Sequence, residues 1–397
     1  MRDHASDVVR KTTVRKRHCA PALNDDDLRA LVDATKACRC GHAPGYSSDN
    51  DDGVRKGGCR RHGPSIYPLG YWTYCQQGSA TVVLVPLANP LTRLRMKVRG
   101  EILTMLSGDP HGEPEWVKAI SMGTDAGYFG PHSAVWHVNG GIPVIVAGVR
   151  ALLMQTLHPG AMAGVHDHSR YASDPIGRLS GTVRWVVTTT FGSRDTVANE
   201  TARVSRLHDR VTGDYSPGNP PEKSQPYSAH DEDLIGWVHV VFTDAFLRAH
   251  REWGDEIPPD REGESGEDRY VREWAQAGRL MGMRNPPTSV AELEAALDDF
   301  RPVLRADDRV IDAISFLTKP PLPRLARIPY SLLVGGAIVT IDPQYRELLG
   351  IKKPWWPASL LTRFALGVIG RTLGTESTSR KRATERIARL ATDAETY

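Results

Sequence analysis

The chain has 397 residues and is 40% hydrophobic, enough to build one large core or two ordinary ones. Lys and Arg number 50 against 47 Asp and Glu, and a formal charge of +3 offers a polyanion such as nucleic acid no particular attraction. The five cysteines, Cys19, Cys38, Cys40, Cys59 and Cys75, lie in the first fifth of the chain. Everything after Cys75 is therefore without disulfides, thiolate ligands or a covalent Cys-x-x-Cys-His attachment, and Cys38-Arg-Cys40 lacks the paired spacing of a zinc module.

Residues 1–90 mix Arg, Lys and Asp runs with the polar stretch from Ser47 to Asp52 and isolated glycines. Without sustained periodicity, they are expected to form a disordered or weakly structured N-terminal extension, more apolar from Ser65 onward. No N-terminal segment joins a charged start to an apolar core of about 7–15 residues, so a cytoplasmic chain without a secretory signal is expected. The longest apolar runs, Gly141 to Ala151 and Leu360 to Ile369, fall short of the ~20 residues that span a bilayer. Contact with a membrane surface stays open.

The domain start is placed near Pro90, and from there helical punctuation dominates. Ser289-Val-Ala-Glu292 has the form of a capping box, and Ser228-Ala-His-Asp231 is a shorter-armed version; each is expected to open a helix. Between Asp195 and Gly213, the residues Val197, Thr201, Val204, His208 and Val211 form a stripe at helical spacing, with Arg203, Arg206 and Arg210 on the wettable side. Asp233 to Trp253 repeats the pattern with Ile235, His239, Phe242 and Phe246 before Gly254 ends it. Ala80 to Val85 and Ile142 to Val146 are β-like, but the second runs into a helix-favouring segment, and no sheet is expected. A Pro-rich join at Lys319 to Pro323 precedes a last helical segment, and residues 376–397 read as a charged tail. The fold class is all-α, with one helical domain over residues 91–375.

Common catalytic signatures are missing: there is no Walker loop, no Gly-x-Gly-x-x-Gly after a strand, no Gly-x-Ser-x-Gly and no His-Glu-x-x-His. What is unusual is where the histidines and arginines sit. His208 and His239 interrupt apolar stripes, either as core histidines satisfied by neighbours or as imidazole ligands. In a domain without cysteine, neutral imidazole is the natural axial donor for an iron porphyrin. Arg178 and Thr182, four apart, share a helix face, where they are either ordinary surface residues or donors to an oxygen species or a propionate. His158, His166 and His168 cluster in sequence and offer a second candidate, a non-haem metal site. Tyr128 to Trp136 and Ile142 to Leu157 supply apolar walls, for a core or for a pocket.

An ordered series of short motifs ties these residues together. It runs through Leu153-Met-Gln-Thr-Leu-His-Pro, Gly164-Val-His-Asp-His-Ser-Arg-Tyr, Asp174-Pro-Ile-Gly-Arg-Leu, Thr189-Thr-Phe-Gly, Arg203-Val-Ser-Arg-Leu-His, Tyr227-Ser-Ala and Trp237-Val-His. It continues with Asp268-Arg-Tyr-Val, Pro286-Pro-Thr-Ser and the Pro-Pro-Leu-Pro join. Over residues 91–350 this resembles the MpaB-type oxygenases, whose catalytic domain is shared by the rubber-cleaving latex-clearing proteins. The resemblance implies a globin-like helical bundle with additional C-terminal helices, holding haem b (iron). It implies His208 as the proximal iron ligand, His239 as a second pocket histidine, and Arg178 and Thr182 as the distal pair. Rubber oxygenases can carry a lysine just before that threonine to close the sixth iron position; here Gly181 stands there and cannot ligate. The activity implied is an oxygenase acting with dioxygen on a small apolar, unsaturated substrate. Two other readings compete: a non-haem metalloenzyme using His158, His166 and His168, and a non-catalytic lipid-binding protein resting on a membrane through Trp355-Trp356 and the helix after Pro357.

Overall fold

The structure, a computed structural model, describes the backbone of residues 65–66, 71–76, 79–84, 90–168, 175–217, 222–320, 322, 324–374 and 377–395. Side chains are described from residue 96 onward, without 105, 175–179, 324–326 and 395. The chain divides into two compact units, Met1–Leu94 and Arg95–Tyr397.

The first unit contains a small antiparallel sheet of β1 (Ser65–Ile66), β2 (Tyr71–Gln76) and β3 (Ser79–Leu84). In the register of this hairpin Trp72 pairs with Val83, Tyr74 with Thr81 and Cys75 with Ala80. This differs from the expectation of no sheet. Each run is too short to specify a strand alone, and the cross-strand pairing supplies what neither run shows by itself. Residues 1–64, the larger part of the extension read from the sequence, lie outside the described residues.

The second unit is helical. Helix α1 (Pro90–Ser107) runs across the division at Leu94, and the second unit goes on with α2 (Glu115–Ala119), α3 (Ala134–Asn139), α4 (Val144–Gln155) and α5 (Pro159–His168). Then follow α6 (Pro175–Phe191), α7 (Arg194–His208), a ribbon of β4 (Thr212–Tyr215) and β5 (Gln225–Ser228), and α8 (Glu232–Trp253). The rest comprises α9 (Gly266–Leu280), α10 (Val290–Phe300), α11 (Asp308–Thr318), α12 (Arg324–Thr340), α13 (Pro343–Leu348), α14 (Ala358–Leu373) and α15 (Thr378–Glu395). The mostly helical architecture is the all-α class expected from the caps and stripes.

Helix α8 is the centre. Trp237, Val240, Val241, Ala245 and Ala249 are fully enclosed, and α3, α4, α9, α10 and α12 pack around it. A helix apolar around most of its circumference has to be surrounded, and each large side chain buried there stabilises the fold by about 1.5–3 kcal/mol. One buried ion pair ties α4 to α8: Arg150, 0% exposed, lies 2.5 Å from Asp244, a charge contact rather than an aligned hydrogen bond, while its Nε donates to the Thr340 carbonyl.

Local signals fix the helix ends. Ser289 caps α10, its Oγ accepting from the Glu292 amide at 3.2 Å, while the Glu292 carboxylate accepts from the Thr288 amide at 2.7 Å. Ser228 behaves differently from its sequence reading. It ends β5, its amide donates to the Asp231 carboxylate at 2.7 Å, and the helix opens only at Glu232. The stripe expected to run to Gly213 stops at His208, because the chain turns there into the β4–β5 ribbon. Residues read as a charged tail form α15, whose Arg386 is 0% exposed and donates to the carbonyls of Ile120, Asp125, Ala126 and Phe191.

Candidate functional site

Helix α6 carries Arg178 and Thr182 one turn apart on its backbone, as the spacing predicts. The Arg178 side chain lies outside the described residues, and Thr182 is half-buried. Trp185 and Thr189 continue the same helical face at steps of three and four. Trp185 Nε1, Thr188 Oγ1 and Thr189 Oγ1 are buried without a hydrogen-bond partner among the described residues. A helical threonine normally returns its hydroxyl to the preceding turn, as Thr190 does to the Val186 carbonyl at 2.8 Å.

Helix α7 packs on α6, and the two are pinned by Glu200, only 3% exposed. Arg184 of α6 reaches its carboxylate at 2.7 Å and Arg203 of α7 at 2.6 Å, so a buried acid is neutralised from both sides. Sequence reading missed Glu200. The available signal was an acid directly preceding Thr201 of the apolar stripe, with two arginines within reach. Along that stripe Val197 is enclosed, while Thr201 Oγ1 and His208 Nδ1 are buried without partners. The His208 ring stands 5.8 Å from that of His230. Burial, helped by the nearby His230, lowers the His208 pKa and favours the neutral imidazole.

His239 sits in the core of α8 at 7% exposure, with Nε2 unpartnered. Burial pushes its pKa down to about 4, and the Arg279 charge adds to the effect. Its ring rests against α9 at Gly278, where an added Cβ would come within 3.2 Å of Cδ2 and Cε1 and 3.1 Å of Pro286. The imidazole occupies the room a side chain would take. Gly278 was also missed, although a glycine inside a helix costs about 1 kcal/mol relative to alanine and so marks a close approach.

The structure does not assemble the alternative metal site. His158 is buried between Trp237 and Phe300, at ring distances of 6.2 and 6.1 Å, and burial lowers its pKa to about 4. His166 pairs with Asp167 at 3.0 Å, and His168 meets the Thr212 carbonyl at 3.0 Å on the exposed end of α5. Consecutive positions on a helix point apart, and among the described residues no group of three His, Cys, Asp or Glu side chains is set to hold a metal ion.

The apolar walls are core. Val135, Trp136, Val146, Leu153 and Leu157 are 2% exposed or less. Beside them lies a cavity of about 440 Å³, lined among others by His132, His137, Asp260, Arg269 and Arg380. Pro131 to Ala134, from the Tyr128 to Trp136 wall, line it as well, whereas Arg178, Thr182, His208 and His239 are not among the lining residues. Arg269 is already occupied there, by Glu273 at 2.8 Å and Asp260 at 3.4 Å.

The residues on α6, α7 and α8 fit a haem in their donor chemistry. A buried imidazole, His239, and a half-buried one, His208, on different helices are held toward their neutral forms, each with an unpartnered ring nitrogen, and unpartnered hydroxyl and indole groups accompany them. A family model described as ER-bound oxygenase mpaB/B'/Rubber oxygenase, catalytic domain, matches residues 136–374, from within α3 to just past the end of α14. The matched span includes Arg178, Thr182, His208 and His239. No curated protein and no solved structure matches the chain.

Proposed function

The chain belongs to the family of the catalytic domain of ER-bound oxygenase mpaB/B' and rubber oxygenase, and from this premise we propose that it is a haem b-dependent oxygenase acting on a small apolar, unsaturated substrate. Family membership implies the oxygenase class. The observation that supports haem is the concentration of buried, unpartnered polar atoms on α6, α7 and α8. Folded interiors pair such atoms, and each one left alone costs about 1–3 kcal/mol. The iron and propionates of a bound haem would offer such atoms partners and offset part of that cost.

In this reading His208 is the proximal ligand. Its lowered pKa leaves a lone pair free for iron at neutral pH. His239, enclosed by α8 and α9, stays uncharged and orients its neighbours without bringing a cation into the core. The bound haem supplies the redox chemistry with dioxygen. Arg178 and Thr182 supply hydrogen-bond donors from one face of α6, and Trp185 on the same face keeps water out. Gly181 leaves open space at its Cβ position, so no side chain from that position blocks the site.

The deciding experiment is an absorption spectrum of the purified full chain, with His208→Ala beside it. A Soret band in the parent, lost in the variant or shifted in it and restored by added imidazole, is the expected result. A parent that takes up no haem on reconstitution refutes the cofactor; an unaltered spectrum in the variant refutes the ligand.

A further inference from the structure

Helix α14 and the turn before it carry an apolar face that no other described residue covers. Leu360, Phe364 and Val368 follow one another at steps of four and remain 65%, 70% and 46% exposed, with Leu361 beside them at 37%. The opposite side, including Thr362, Ala365, Leu366 and Ile369, is buried. There α14 packs on α12, and Thr362 donates to the Leu332 carbonyl at 2.7 Å. The helix is therefore apolar on both sides, although only one is used. Trp355 is 96% exposed, and Ile328 of α12 is 71% exposed. Scattered exposed apolar residues are ordinary, whereas a row of them along one helix marks a contact surface.

The segments that carry this row hold charges of one sign. From Ile351 to Gly374 the sequence contains Lys352, Lys353, Arg363 and Arg371 and no Asp or Glu. All four cations are exposed. From Lys319 to Ile341, across α12, it again contains cations and no acid. The carboxylate of Glu252 reaches the flank from α8, where it accepts from Ser359 Oγ. A second copy of this chain is a poor occupant, because isologous pairing would set like charges against each other.

We propose that α14 and the Trp355 turn dock on the surface of a lipid bilayer that carries anionic headgroups. Leu360, Phe364 and Val368 enter the boundary of the acyl chains, Trp355 sits at the interface, and Lys352, Lys353 and Arg371 meet the headgroup phosphates. The 16 residues of α14 lie in the membrane plane; among the described residues no helix is long and apolar enough to cross. This docking stands on its own observations and does not depend on the haem.

The test is sedimentation of the full chain with vesicles of phosphatidylcholine alone or mixed with phosphatidylglycerol. Binding to the mixed vesicles, weakened by salt, is expected. Leu360→Ser with Phe364→Ser should lower the partition coefficient about a hundredfold, since both side chains leave the acyl boundary. Lys352→Gln with Lys353→Gln should lower it about thirtyfold on the mixed vesicles alone. Thermal melting checks that each variant is folded; if the serine pair unfolds, the glutamine pair, which alters only exposed cations, carries the test. Failure of the parent to bind either vesicle overturns the proposal, as does undiminished binding by the folded variants. A dimer that the serine pair dissolves, without vesicle binding by the parent, assigns the face to a second copy instead.

Discussion

Acidification should destabilise the haem-free protein well before its carboxylates titrate, through His158 and His239. Each is 7% exposed, and burial lowers each pKa from 6.5 to about 4. For His158 the Asp233 charge partly opposes the shift; for His239 the Arg279 charge adds to it. Above the ordinary value, folded and unfolded chains are both neutral at these positions. Below it the unfolded chain binds protons that the native state refuses, so stability is lost as pH falls from 6.5 toward about 4. At about pH 5 the ratio of binding polynomials gives a loss on the order of 2 kcal/mol per histidine, about 4 kcal/mol together. That is a large share of the ~5–15 kcal/mol that holds a typical domain. His208 and His250, also lowered chiefly by burial, push in the same direction. Urea unfolding of the full chain at about pH 7.5 and about pH 5 measures the difference, with His158→Gln/His239→Gln as the comparison. The parent should lose stability steeply and the double variant less so. Equal slopes in the two proteins would refute the reasoning.

Arg178→Ala and Thr182→Ala should keep haem but slow oxygen consumption by about a hundredfold, because a donor aimed at developing charge acts mainly on the transition state; unchanged rates remove the pair from the site. Gly181→Lys has room at Cβ and should give a six-coordinate ferric spectrum if this face of α6 looks toward the iron, whereas a five-coordinate spectrum places the residue elsewhere. Arg386→Leu should destabilise the fold by about 3 kcal/mol or more, since several buried carbonyls each lose a donor worth ~1–3 kcal/mol; a melting temperature within error of the parent would show that α15 is dispensable.

The sequence by itself determined what depends on local periodicity and chemistry. Helix α8 follows from Ile235, His239 and Phe246 recurring at helical spacing, and the start of α10 from the hydroxyl of Ser289. Nominating His208 and His239 as candidates needed no more than two polar rings in apolar stripes, and both are at least half-buried in the fold. Only the tertiary structure decided which distant groups meet. The Glu200 clamp, the Gly278 cradle and the carbonyls around Arg386 join positions from different helices, and no periodic pattern encodes such partners. The same holds for α14. Its sequence is apolar on both sides, and the packing of α12 against one of them decides which is core and which remains on the surface. Burial depends on neighbours brought together by long-range contacts, whereas a sequence pattern records only what each segment can present.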